Sequence, residues 1–229
     1  MLSLVRYSLY VVRISSGGSM KKVIGSICVI IFMFIVSISD YVYAKTQEES
    51  ASQYLQHAID SIFTILRNPK WTTKEGQEEL YPELRTRVQG MFDFRVISSQ
   101  IVGTKWDSFT AKEQEEFIEA FTSILEYTYS SSFTNYSGQS LRIERSRVNK
   151  TGTQAEVITK ILASDGKETT IVYRLIDGEH GWKIYNVLVE NINLIASYKT
   201  QLQELLANST PREIIKKLQA QAITLSPQK

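Results

Sequence analysis

Two histidines, His57 and His180, are the only imidazoles in the chain, and neither stands where acid–base or metal chemistry would need it. His57 falls in a helical pattern with no partner at metal-ligand spacing. His180 sits in Asp177-Gly178-Glu179-His180-Gly181, the composition of a solvated hairpin tip. No serine occupies a nucleophile elbow, no glycine-rich loop leads from a strand into a helix, and no cysteine–histidine cluster exists. The single cysteine, Cys28, lies in an apolar N-terminal run, so the remaining chain has no disulfide, thiol nucleophile or thiolate metal site. The acidic pairs Glu78-Glu79 and Glu115-Glu116 fall in charge-mixed helical stretches and read as solvated faces. Carboxylates far apart in sequence could still converge, but no residue pattern points to such a pair. The expectation is a protein that is not an enzyme and carries no cofactor or metal. What the chain does carry is bulky apolar material near its middle: Phe92, Phe94, Trp106, Phe109, Phe117, Phe121, Tyr127, Tyr129, Phe133 and Tyr136.

The elements that must position this material follow from spacing. Apolar residues from Tyr54 to Leu66 recur at three and four residues, which predicts a helix over Ala51 to Arg67 stopped by Asn68-Pro69. Thr73 is placed to cap a helix running towards Val88, and Asp93 to cap a short one ended by Gly103. Thr110 and Glu113 have capping-box spacing and open a long helix. After Tyr136-Ser137-Gly138 the period becomes alternating, predicting four strands: Leu141 to Val148, Ala155 to Ile161, Thr169 to Ile176 and Trp182 to Val189. Turns rich in Asp and Gly make them antiparallel neighbours. A helix from Ile192 to Leu206 follows, then another with Thr210 as cap, Pro211 at the first position and Glu213 at the third. The order predicts an α+β fold in which N-terminal helices and C-terminal helices cover a four-stranded, curved antiparallel sheet.

With 43% hydrophobic and 22% charged residues, the chain is ordinary globular material. Its formal charge of +2 depends on residues 1–44, which hold Arg6, Arg13, Lys21 and Lys22 against Asp40; the remainder has 22 basic and 23 acidic residues, a net of −1. That balance argues against a nucleic-acid partner. Lys21-Lys22, the apolar run Val23 to Ser37 and Val42-Tyr43-Ala44 have the layout of a secretory signal peptide cleaved after Ala44. An uncleaved anchor would need about 20 apolar residues, more than this run offers. A lipoprotein is excluded because Ile27 precedes Cys28 and apolar residues Val29 to Ile35 follow it. Met20 reads as the true start, since a leader containing Gly17-Gly18 is foreign to such signals. The expected division is a leader over 1–44 and one body over 45–229.

Three blocks then point to a family. The first is Phe92-Asp93-Phe94-Arg95-Val96-Ile97-Ser98 with Ile101-Val102-Gly103-Thr104-Lys105-Trp106. The second is Phe117-Ile118-Glu119-Ala120-Phe121 with Leu125, Tyr127-Thr128-Tyr129 and Tyr136-Ser137-Gly138. The third runs from Tyr173-Arg174-Leu175 through Gly181-Trp182-Lys183-Ile184-Tyr185-Asn186-Val187-Leu188-Val189-Glu190 and Asn191-Ile192-Asn193-Leu194-Ile195 to Ser197-Tyr198-Lys199-Thr200-Gln201-Leu202. In their order and spacing these resemble the MlaC, or toluene-tolerance, family of periplasmic phospholipid-binding proteins. The resemblance covers roughly Ser50 to Ala220. The chain departs from the family at Asn186, where Asp is usual, at Asn191-Ile192-Asn193, where Gly-Val-Ser is usual, and at Lys199, where Arg is usual.

The resemblance implies a nuclear-transport-factor-like sheet joined to a helical subdomain, with an apolar cavity between sheet and helices. It also implies a soluble, monomeric periplasmic carrier, the binding component of an ABC-type system that maintains outer-membrane lipid asymmetry. Its partners would be phospholipid, an inner-membrane ABC transporter complex bearing an MCE protein, and an outer-membrane lipoprotein complex. The expected lining is Val96, Ile101, Phe121, Leu125, Tyr129, Val172, Leu175, Val187, Val189 and Leu194, from faces that sheet and long helix would turn towards each other. Strict alternation in the last strand puts Trp182, Ile184, Asn186 and Leu188 on one side and Lys183, Tyr185, Val187 and Val189 on the other. The second set, starting from Lys183 at the rim, would touch acyl chains. Two other readings remain: an enzyme for a small hydrophobic substrate on the same kind of fold, and a lipoprotein chaperone or adaptor.

Overall fold

The computed structural model describes residue 46 and residues 48–226. The expected leader, its start at Met20 and its cleavage after Ala44 lie outside the described residues.

Helix α1 spans residues 48–66. A short 3-10 turn, Pro69–Thr72, then reverses the chain, with the Asn68 side chain accepting from the Lys70 amide. Helix α2, Lys74–Met91, starts at Thr73, whose hydroxyl accepts from the Gly76 amide. Gly76 is required there: a Cβ would lie 1.8 Å from the Lys70 carbonyl oxygen. Asp93 caps α3, Phe94–Val102, by accepting from the Val96 amide. A 3-10 turn, Gly103–Ser108, leads to α4, Ala111–Thr134, which opens on the complete Thr110–Glu113 capping box.

The sheet has five strands, not the four expected: β1 Ser140–Val148, β2 Gln154–Leu162, β3 Glu168–Gly178, β4 Gly181–Val189 and β5 Ile192–Asn193, in sequence order and all antiparallel. The missed strand occupies the residues expected to start a helix. Glu190 and Asn191, with φ of 48° and 67°, make a tight reversal that lays Ile192–Asn193 back on Val189 and Leu188. Helix α5, Leu194–Asn208, therefore begins two residues late, with Asn193 as its cap. Helix α6, Pro211–Leu225, carries the second complete capping box, Thr210–Glu213.

Two cores hold these elements. In the first, α3, α4, α5 and α6 close around Ile101, Phe117, Phe121, Ile124, Ile214 and Leu218. Lys105 ties this core together by donating to the carbonyls of Leu206 and Ser209, both at 2.6 Å, at the C-terminal end of α5. In the second, α1 and α2 lie on one sheet face, with Leu55, Ile59, Leu84, Val157, Leu175 and Ile184 at its centre. The α2–α3 junction docks on the free edge of β4, where the Asp93 amide donates to the Ile184 carbonyl at 2.9 Å beside a Phe92–Ile184 bridge.

Candidate functional site: an apolar sheet face that opens towards one end

Two bulges decide which side chains share a face. Pairing across β1 and β2 shifts between Ile143 and Arg145, leaving Glu144 as the extra residue. Across β3 and β4, Leu175 faces Ile184 but Arg174 faces Asn186, so Tyr185 is extra. Directly opposed residues of antiparallel strands point to the same side. Val187, opposite Tyr173, and Ile184, opposite Leu175, thus lie on one face together. Leu188, opposite Val172, lies on the other. This corrects the alternation expected for β4. Asn186 is buried, and its side-chain oxygen accepts from the Val187 amide at 2.9 Å next to the bulge.

Register lines up the face that α1 and α2 cover into rows. Val148, Ala155, Leu175 and Ile184 form one row, and Leu175 and Ile184 are both fully buried. The next row is Ser146, Val157, Tyr173 and Val187, of which the last two are half-buried. Then come Ile143, Thr159, Ile171, Val189 and Ile192, where exposure climbs to 42% at Val189 and 68% at Ile192. Leu141, Ile161 and Thr169, all half-buried, end the series. Exposure on this apolar face therefore rises along β3 and β4 towards the Val189 end, while Thr159 on β2 stays buried. The direction is opposite to that expected for β4. The Trp182–Ile184 end is shut by the α2–α3 junction, where Lys183 donates to the Gly90 carbonyl, and the Val189 end is open.

The polar groups within these four rows are hydroxyls. Thr159 is buried and donates to the Ile171 carbonyl at 3.0 Å, and Ser146 donates to the Glu48 carbonyl at 3.4 Å. Burial pushes the Tyr173 hydroxyl up to about 12, from 10.0. Among the described residues this hydroxyl has no hydrogen-bond partner. At the surface, hydrogen bonds from Thr110, Lys160 and Thr210 hold the carboxyls of Glu113, Glu168 and Glu213 below the usual range. Among the described residues no three of His, Cys, Asp and Glu converge as a metal site.

The ten expected lining residues do not gather in one place. Leu175, Val187 and Val189 share the opening face. Ile101, Phe121 and Leu125 are buried in the helical core, and Leu194 packs against it. Val172 points to the opposite side of the sheet, Val96 is half-buried on α3, and Tyr129 is 44% exposed. Ile143, Ile171 and Tyr173 were not anticipated. Counting by two from Leu175 reaches Tyr173 and Ile171, whereas Val172 is three residues away and falls on the other face. Two surface grooves lie elsewhere, about 380 Å³ along α2 and about 430 Å³ between α3 and α5. Both are open to solvent, unlike sites that bury most of a ligand.

The described residues include no helix long and apolar enough to cross a membrane. By sequence, the chain resembles the intermembrane phospholipid transport system binding protein MlaC of Haemophilus influenzae, with 20% identity over 163 residues, 69% of this chain and 76% of that one. It also resembles toluene tolerance protein ttg2D of Pseudomonas putida, with 26% identity over 173 residues, 74% of this chain and 79% of that one. The fold matches a phospholipid-binding protein from Ralstonia solanacearum, solved with a phospholipid, at a TM-score of 0.67 and 20% identity, covering 77% of this chain and 98% of that one. Residues 56–220 match the MlaC protein family, and the chain belongs to it.

Proposed function

We propose that this chain is a non-enzymatic carrier that shields phospholipid acyl chains against the opening sheet face. It works in the periplasm, after export on a cleaved signal peptide, between an outer-membrane lipoprotein complex and an inner-membrane ABC transporter bearing an MCE protein. The observation that carries this reading is the graded exposure of one apolar face, from Leu175 and Ile184, fully buried, to Ile192, 68% exposed. A face graded in this way would take flexible hydrocarbon from its exposed end and offer it side chains rather than backbone.

The energetics define the task. At about 0.8 kcal/mol per methylene, two acyl chains of about fifteen carbons make desorption into water cost on the order of 20 kcal/mol. A carrier offsets that cost by replacing lipid contacts with apolar contacts, and no bond need be made or broken. The lining is Val187 and Val189 from β4 with Ile143, Ile171 and Tyr173 from the neighbouring strands. Energy for directional transport belongs to the transporter.

Native mass spectrometry of protein purified from a bacterial periplasm, followed by lipid extraction, tests the reading. The expected result is a phospholipid mass bound to each chain. Ligand-free chains, or a small non-lipid product, would contradict it.

A further inference from the structure

Of the nine arginines among the described residues, Arg85, Arg87, Arg95, Arg142, Arg174 and Arg212 pair with carboxylates. Arg145 and Arg147 stand on β1, the outer strand, where charges and a bulge discourage the addition of a further strand. Arg67 is different. It follows directly on α1, and its guanidinium carbon lies 5.3 Å from the centre of the Phe63 ring. Its Nε donates to the Tyr136 hydroxyl at 3.2 Å, and that hydroxyl donates onward to the Gln139 carbonyl at 3.3 Å. The Tyr136 ring is braced in turn by Phe63, with centroids 5.6 Å apart.

A ring and a hydroxyl thus fix the guanidinium, while its two terminal nitrogens have no hydrogen-bond partner among the described residues. The place matters as much as the pose. Tyr136 and Gln139 lead into β1 just before Leu141, at the end of the sheet where Leu141, Ile161 and Thr169 are left half-buried. Arg67 is exposed, and a planar cation with two free donors beside this half-buried end of the apolar face matches the oxygens of a phosphate better than the point charge of a lysine would. We propose that Arg67 binds a phosphate monoanion through its two terminal nitrogens at this end, and that the phosphodiester of the carried lipid supplies it. This rests on the carrier reading above, and adds to it a residue that distinguishes phospholipid from neutral diacyl lipid.

The experiment uses the purified protein and vesicles of phosphatidylglycerol doped with either an acyl-fluorescent phosphatidylglycerol or the diacylglycerol with the same chains. Charge-assisted hydrogen bonds discounted for exposure predict that Arg67→Gln lowers retained phosphatidylglycerol about tenfold and leaves diacylglycerol within about twofold. Arg67→Lys should recover only part of the loss, and Tyr136→Phe should fall between, because each keeps half of the arrangement. Excess inorganic phosphate should leave lipid retention unchanged. Equal losses of both lipids, or none, would overturn the assignment. So would competition by inorganic phosphate without any lipid defect in Arg67→Gln, which would make free phosphate the ligand. If the wild-type protein retains neither lipid, the carrier reading itself fails, and this inference falls with it.

Discussion

Tyr173 shows how one side chain reports on the space around it. Its hydroxyl titrates near 12 in the folded chain because burial disfavours the phenolate, against 10.0 for an exposed tyrosine. Tyr198, in the helical core, is raised to about the same value by burial and then by its neighbour Tyr129. Both groups are neutral below pH 10, where their contribution to stability is complete, and it is lost as pH rises through about 12. Denaturant melts across that alkaline window should show the wild type losing more stability than Tyr173→Phe, by about 2 kcal/mol. A difference that does not change with pH would mean that this hydroxyl is freely solvated. Lys105 is the other residue whose role is plain in atoms. Removing its donation to two helix-end carbonyls, as in Lys105→Met, should cost about 1–2 kcal/mol in a urea melt. The sequence contains Lys105 inside a family block, but its partners, Leu206 and Ser209, stand about a hundred positions away, so no local pattern could reveal them.

At the scale of elements, what was legible is what is written locally. Thr110–Glu113 and Thr210–Glu213 each state a helix start within four residues, and both capping boxes form. Asp177-Gly178 and Ser164-Asp165-Gly166 likewise mark their hairpins. The bulges at Glu144 and Tyr185 were not legible, because an extra residue in one strand is defined only by its partner strand. Nor was β5, whose two residues depend on a reversal at Glu190 and Asn191, side chains that seldom take positive φ as a pair. That reversal is testable. Asn191→Gly should stabilise the chain by about 0.5–1 kcal/mol, and Asn191→Val should destabilise it by about 1 kcal/mol or more, because φ there is 67°. If both variants melt like the wild type, the β4–β5 turn does not adopt this backbone.

At the scale of the molecule, the two cores explain why the candidate site was only partly readable. Ile101, Phe121 and Leu125 were expected to line the cavity, and nothing local in the sequence says which core buries them. They close the helical core, while the opening face belongs to the other. Alternation likewise found the sheet but mixed its two sides once a bulge intervened. The central claim is that the face carrying Val187, and not the one carrying Leu188, meets acyl chains. A photo-crosslinking residue placed separately at Val187 and at Leu188, followed by mass spectrometry of lipid adducts, tests it most directly. The two positions are neighbours in sequence but lie opposite Tyr173 and Val172, on opposite sides of the sheet. Adducts concentrated at Val187 are the predicted result; adducts mainly at Leu188 would contradict the account.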